Sequence, residues 1–173
     1  MQEQIPRCES LGWSVKRESV ERGQCSPEDS MSRLTYLEGK VSKLSLPTLQ
    51  PPVGAGAPVL KRLLLPQGEL AQFYDADEPI RYMALVEIRP GCARGNHYHK
   101  FKKELLYVVQ GEISLVVQDI AQGTRDSLPL QTGDVAVIET GIAHAILAPA
   151  PGQVLEFSPV RFDPADTYRF PLV

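Results

Sequence analysis

Two glycine-bounded blocks carry every histidine of the chain. The first runs from Gly91 to Gly111 and contains His97, His99 and Glu104; the second runs from Gly133 through Gly141 to His144. This spacing constrains the fold because side chains alternate across a strand, so His97 and His99 point one way and Tyr98 the other. The basic break Lys100-Phe101-Lys102-Lys103 is long enough to turn the chain. Glu104 then opens a run of strand formers, Leu105-Leu106-Tyr107-Val108-Val109, and faces back toward the histidine pair. Gly111 permits a tight turn into Glu112-Ile113-Ser114-Leu115-Val116-Val117, so the two runs read as a hairpin. His144 comes from a later strand, after the Gly133-Asp134 turn and the bend at Gly141.

Taken together, the two blocks resemble the two motifs of the cupin superfamily, from about Val59 to about Phe162. The first block matches that pattern at every signature position. The second departs from it at Glu139, where the family usually has proline, and at Ala148, where it often has asparagine; neither position is a metal ligand in the family. The resemblance implies an all-β fold, a double-stranded β-helix or RmlC-like jelly-roll barrel, with an irregular N-terminal extension. It also implies that His97, His99, Glu104 and His144 hold one divalent transition metal ion. Imidazoles with a carboxylate suit Fe, Mn, Ni, Co, Cu or Zn, and the spacing does not choose among them. Four protein donors on one side of an ion leave positions for substrate, water or dioxygen, as in catalytic rather than closed structural sites. The string Arg94-Gly95-Asn96-His97-Tyr98-His99-Lys100 is similar to the first motif of some cupins of nucleotide-sugar isomerisation, epimerisation and surface-polysaccharide synthesis.

Short strands at regular turn spacing are expected across the cupin domain, residues 59–173. Within it, Val59 to Leu65 reads as a strand, Leu70 to Pro79 as an acidic loop, and Asp163 to Val173 as a tail packed over one end. Residues 31–58 form an arm or linker: 32–46 is a short helix or an edge strand, and Pro47 to Pro58 is rich in proline and glycine. Residues 1–30 are polar and lack a sustained apolar period, so they are expected to be a disordered extension, or an over-long start with Met31 as the initiator.

A length of 173 residues suits one domain with a real core. A net charge of −3 offers no basic excess for a nucleic-acid partner. The three cysteines, Cys8, Cys25 and Cys92, imply neither a disulfide framework nor a zinc ribbon, which fits a reducing cytoplasm. No stretch is long and apolar enough to span a membrane. A homodimer is expected by analogy with the family.

Around the ligand set, alternation from Glu104 turns Leu106 and Val108 inward. Arg94, Asn96 and Tyr82 are the candidate substrate-binding residues; Arg94 offers a guanidinium fork for an anionic group. Tyr98 and Tyr107 fall on the opposite parity and are expected to pack. Glu139 either supports His144 or faces solvent. The cluster Lys100, Lys102 and Lys103 is expected to be a solvated loop, with attraction of an anionic substrate as the alternative. No catalytic base can be named. Three functions follow: a metal-dependent isomerase or epimerase of a small polar metabolite such as a sugar or nucleotide sugar, an Fe(II) dioxygenase-type oxidoreductase, or a non-enzymatic cupin that binds a metabolite or a metal. In each the partner is a small-molecule ligand.

Overall fold

In the computed structural model, which describes residues 31–173, β-strands dominate and the only helical pieces are two short 3-10 turns. The expectations for residues 1–30 lie outside the described residues. The strands are β1 (Ser32–Tyr36), β2 (Val41–Ser45), β3 (Thr48–Leu49), β4 (Lys61–Leu65), β5 (Gly68–Gln72), β6 (Tyr82–Ile88), β7 (Ala93–Tyr98), β8 (Glu104–Gln110), β9 (Glu112–Asp119), β10 (Arg125–Gln131), β11 (Asp134–Ile138), β12 (Ile142–Leu147), β13 (Gly152–Ser158) and β14 (Tyr168–Arg169).

Two sheets face each other. One has the order β1-β2-β11-β8-β13-β6 and the other β10-β9-β12-β7-β14. Apolar side chains from both close the space between them: Ile88, Leu106, Val108, Val154 and Ile138 from the first, Leu115, Val117, Leu128, Ile142 and Ile146 from the second. Each such buried aliphatic contributes on the order of 1.5–3 kcal/mol relative to an exposed position. Parity assigns the rest. Leu105 and Tyr107 face outward with Phe157, beneath a three-stranded sheet of order β3-β4-β5 whose flank supplies Phe73, stacked on Tyr107 at 4.2 Å. On the far side, Val116, Ala143 and Ala145 are covered by Leu172 and Phe170 of the C-terminal tail.

Two segments differ from the sequence reading or resolve it. The stretch left open between helix and edge strand is the β1–β2 hairpin, and β2 pairs with β11 in register Val41↔Ile138 to Ser45↔Asp134. The expected loop at Leu70 to Pro79 is corrected at its start: Gly68–Gln72 is β5, antiparallel to β4. Its charged and polar residues obscured a strand whose pairing, through Leu63↔Leu70, is with the preceding segment rather than with the main sheets. No helix among the described residues is long and apolar enough to cross a membrane.

Two glycines are required by close approach. Gly111 takes φ 97° at the β8–β9 turn, and a Cβ there would lie 3.1 Å from the Gly152 Cα. Gly95 takes φ 95°, and a Cβ there would lie 2.7 Å from the His144 carbonyl oxygen. The second contact brings β7 against β12 where two histidines meet.

Candidate metal centre

His97 reaches the centre from β7 and His144 from β12, and the two are direct cross-strand partners. Immediately beyond that pair the register shifts: Ala145 faces Gly95, so Asn96 is the extra residue of a bulge and takes φ 55°. His99 lies just past the end of β7, and Glu104 is the first residue of β8 in the opposing sheet. One donor atom from each of His97, His99, Glu104 and His144 falls within 4.8 Å of the others.

The rings are fixed from behind. His144 Nδ1 is 3.1 Å from the Ile142 carbonyl oxygen and His99 Nδ1 is 2.5 Å from that of Asp166. A carbonyl can only accept, so each Nδ1 carries a proton and each Nε2 is the nitrogen turned to the centre, where a proton or a cation can take its lone pair. His99 Nε2 is fully buried and has no hydrogen-bond partner. An imidazole nitrogen left this way is costly, and a cation shared with three neighbouring donors satisfies it. The residues present therefore fit a divalent transition metal ion.

Electrostatics point the same way. Glu104 Oε2 lies 2.6 Å from His144 Nε2 and Oε1 lies 3.5 Å from His99 Nε2. Burial works to raise the Glu104 pKa, but His144 and the hydrogen bonds around it hold the carboxyl well below its usual range. Burial likewise opposes charge on His144, yet Glu104 outweighs it and raises the imidazole's pKa. Proton and cation compete for the same Nε2, so occupancy of such a centre falls with acidity. Burial, with His144 adding to it, pushes His97 down to about 4, so this ring is neutral and available as a ligand at neutral pH.

Behind Glu104 stands a group of residues the sequence reading missed. Lys102, expected in a solvated loop, is only 4% exposed, and this is a correction. Its Nζ donates to Glu104 Oε1 at 2.6 Å and to Glu156 Oε1 at 2.7 Å, and sits 4.3 Å from the Tyr82 ring centroid. Burial disfavours its charge, but the two carboxylates prevail and raise its pKa. Glu156, on β13, is raised by burial and by Glu104. Asp166 accepts from the backbone N–H groups of Lys100, Phe101 and Lys102 at 2.8, 3.1 and 3.0 Å, tying the loop to the tail. Only Lys102 had a local signal: it lies two residues before Glu104, on the parity of the ligand face.

The other candidates separate. Tyr82 is half-buried, packs over Lys102 and stacks on Phe162 with centroids 5.8 Å apart. Arg94 pairs across strands with Ile146, a core residue, so it belongs to the inward set of β7, and its side chain is exposed. Asn96 is committed elsewhere: its Oδ1 accepts from the backbone N–H groups of Leu172 at 2.8 Å and Val173 at 3.2 Å. Glu139 is partly exposed and lies 3.9 Å from Lys103 Nζ. Cys92 is an exposed free thiol. Tyr98 stacks outward on Tyr168 at 5.1 Å.

A family model described as "Cupin domain" matches residues 84–157, the segment from β6 to β13 that holds all four converging residues. The chain carries a cupin domain. No curated protein sequence matches it. Among solved structures, this cupin is similar to the dTDP-6-deoxy-D-glucose-3,5-epimerase of Legionella pneumophila Philadelphia 1 in complex with dTDP-4-keto-L-rhamnose (TM-score 0.64, 15% identity, 81% of this chain and 77% of that one). It is also similar to a dTDP-4-dehydrorhamnose 3,5-epimerase from Sulfolobus tokodaii (TM-score 0.63, 16% identity, 79% and 80%). A 3,4-ketoisomerase from Helicobacter canadensis has a TM-score of 0.57 at 16% identity, over 64% of this chain and 86% of that one. At these identities the likeness is one of fold.

Proposed function

We propose that this cupin binds one divalent transition metal ion through His97, His99, Glu104 and His144 and isomerises or epimerises a small polar metabolite, with a sugar or nucleotide sugar as the substrate class. The observation that carries the metal assignment is the buried, unpartnered His99 Nε2 amid three further donors. The reaction class is supported by the similarity of fold to 3,5-epimerases and a 3,4-ketoisomerase, and by the groups beside the donors.

When bound, the ion supplies Lewis acidity toward a carbonyl oxygen. The chain's own residues do the remainder. Glu156 faces inward on β13, opposite Leu106 in register, and retains 20% side-chain exposure beside the buried Glu104 and Lys102. It is the carboxylate placed to take or return a proton on carbon next to a carbonyl. The Tyr82 hydroxyl is a second proton carrier on the same wall. Arg94, inward in register and exposed, offers its guanidinium to an anionic group of the ligand.

The test is NMR of the metal-loaded protein with a panel of 4-keto nucleotide sugars in D2O. Deuterium wash-in at carbons adjacent to the carbonyl, lost in Glu156→Gln, is expected. No wash-in, with dioxygen uptake on an oxygen electrode instead, would replace isomerisation by oxidation. Metal content by plasma mass spectrometry tests the ligand set separately: about one ion per chain is expected for the native residues.

A further inference from the structure

Lys102 is held at both ends. Its backbone N–H donates to Asp166 Oδ2 at 3.0 Å, and its ammonium is clamped between Glu104 Oε1 and Glu156 Oε1 at 2.6 and 2.7 Å. The Tyr82 ring covers it at 4.3 Å, with the Phe162 ring at 5.9 Å. The two oxygens of Glu104 are therefore not equivalent. Oε2 lies 2.6 Å from His144 Nε2, while Oε1, 3.5 Å from His99 Nε2, is the oxygen that accepts from the ammonium at 2.6 Å. We propose that Lys102 is a positioning residue that keeps Glu104 a one-oxygen ligand, and so holds a coordination position open for substrate.

This inference rests on the metal-binding reading above. A carboxylate ligates a cation through one oxygen or through both. Which mode it adopts depends on what else its oxygens bond. A charge-assisted hydrogen bond in a buried setting is among the stronger competitors for a lone pair. Lys102 and Glu104 side chains are each 3% exposed, so water does not take the ammonium's place. Glu104 cannot close its second oxygen onto an ion without abandoning a buried, charged donor, and leaving one charge of such a pair unpaired is costly. Glu156 and Tyr82 fix the ammonium from the other side, so it cannot follow a rotating carboxylate.

The experiment loads native protein with Mn(II) and reads two quantities independent of activity: water-proton relaxivity, which counts exchangeable waters on the ion, and the infrared splitting of the metal-bound carboxylate stretches, assigned by its loss in Glu104→Gln. The native protein is expected to give the wide splitting of one-oxygen ligation. Lys102→Met is expected to retain about one ion per chain, narrow that splitting and about halve the inner-sphere relaxivity, as one of two open octahedral positions closes. Lys102→Arg, which keeps a cationic donor, is expected to restore the native values. Lys102→Met with unchanged splitting and relaxivity overturns the positioning role while the metal site stands. Should Lys102→Met fail to fold, the native spectrum decides, and a narrow splitting there overturns the proposal. A native protein that takes up no Mn(II), Zn(II) or Fe(II) removes the metal-binding reading itself, a result separable from the others.

Discussion

His97 and His99 stand two residues apart and converge on the same centre, yet their surroundings differ. His99 is 4% exposed, and its Nδ1 is held by the carbonyl of Asp166, a residue 67 positions later in the chain. His97 is only half-buried, and its ring meets the other two imidazoles edge-on, 4.8 Å from His99 and 4.7 Å from His144. The centre thus has a fixed side, built by His99, Glu104, Lys102 and the tail, and a side nearer solvent, at His97. Parity alone treats the two histidines as equivalent. The tail makes them different, because a ring locked by a buried carbonyl has one tautomer and one orientation.

The strongest way to break the comparison is to remove proposed metal ligands. His99→Ala, or the double change His97→Ala/His144→Ala, is expected to abolish stoichiometric metal while circular dichroism still reports a folded barrel. Full metal retention in the double variant would end the ligand assignment. Next is Asp166→Ala, which strips three backbone N–H groups of their acceptor and loosens the His99 support. We expect a loss of about 2–3 kcal/mol by chemical denaturation, from donors left unsatisfied, and a fall of roughly 10–100-fold in metal affinity. Native affinity with lowered stability would show that the tail supports the loop but not the ligand.

Gly95→Ala places a Cβ against the His144 carbonyl in a left-handed backbone conformation. It is expected to cost more than about 1 kcal/mol and to weaken metal binding by parting β7 from β12; melting temperature and metal titration read the two effects. A smaller effect concerns acid. In chelator-stripped protein His97 is depressed from 6.5 to about 4, so the folded state resists a proton that the unfolded chain accepts. Its contribution to stability is present above pH 6.5 and is lost as pH falls toward 4. His97→Gln should flatten that part of the stability curve; an unchanged acid limb would mean that burial does not penalise the charged ring. Tyr98→Phe should be the mildest, within about 0.5 kcal/mol and with native metal content, since the ring faces Tyr168 and Phe170 on the outside.

Much of the barrel was legible for a local reason. Strand parity correctly split Leu106 and Val108 from Tyr107, and the turn at Gly111 closed the hairpin where expected. What was not legible depended on partners far along the chain. Lys102 read as one more charge in a basic run because its carboxylate Glu156 is 54 residues away. Asn96 read as a rim residue because the backbone groups that occupy it are 76 and 77 residues distant. Leu70 to Gln72, the end of β5, read as loop because the strand's stabilising partner is a small satellite sheet rather than the core.

By itself, then, the order of residues determined an all-β chain and the faces of most of its strands, since alternation and turn chemistry act over a few residues, while the set of four side chains came with the family resemblance that its two motifs carry. Only the tertiary structure decided which nitrogen of His99 meets the centre, which oxygen of Glu104 is committed to Lys102, and that the C-terminal tail braces the site. Those outcomes are set by burial and by hydrogen bonds between distant segments. Their energies exist only once the two sheets have closed and water has been excluded from between them.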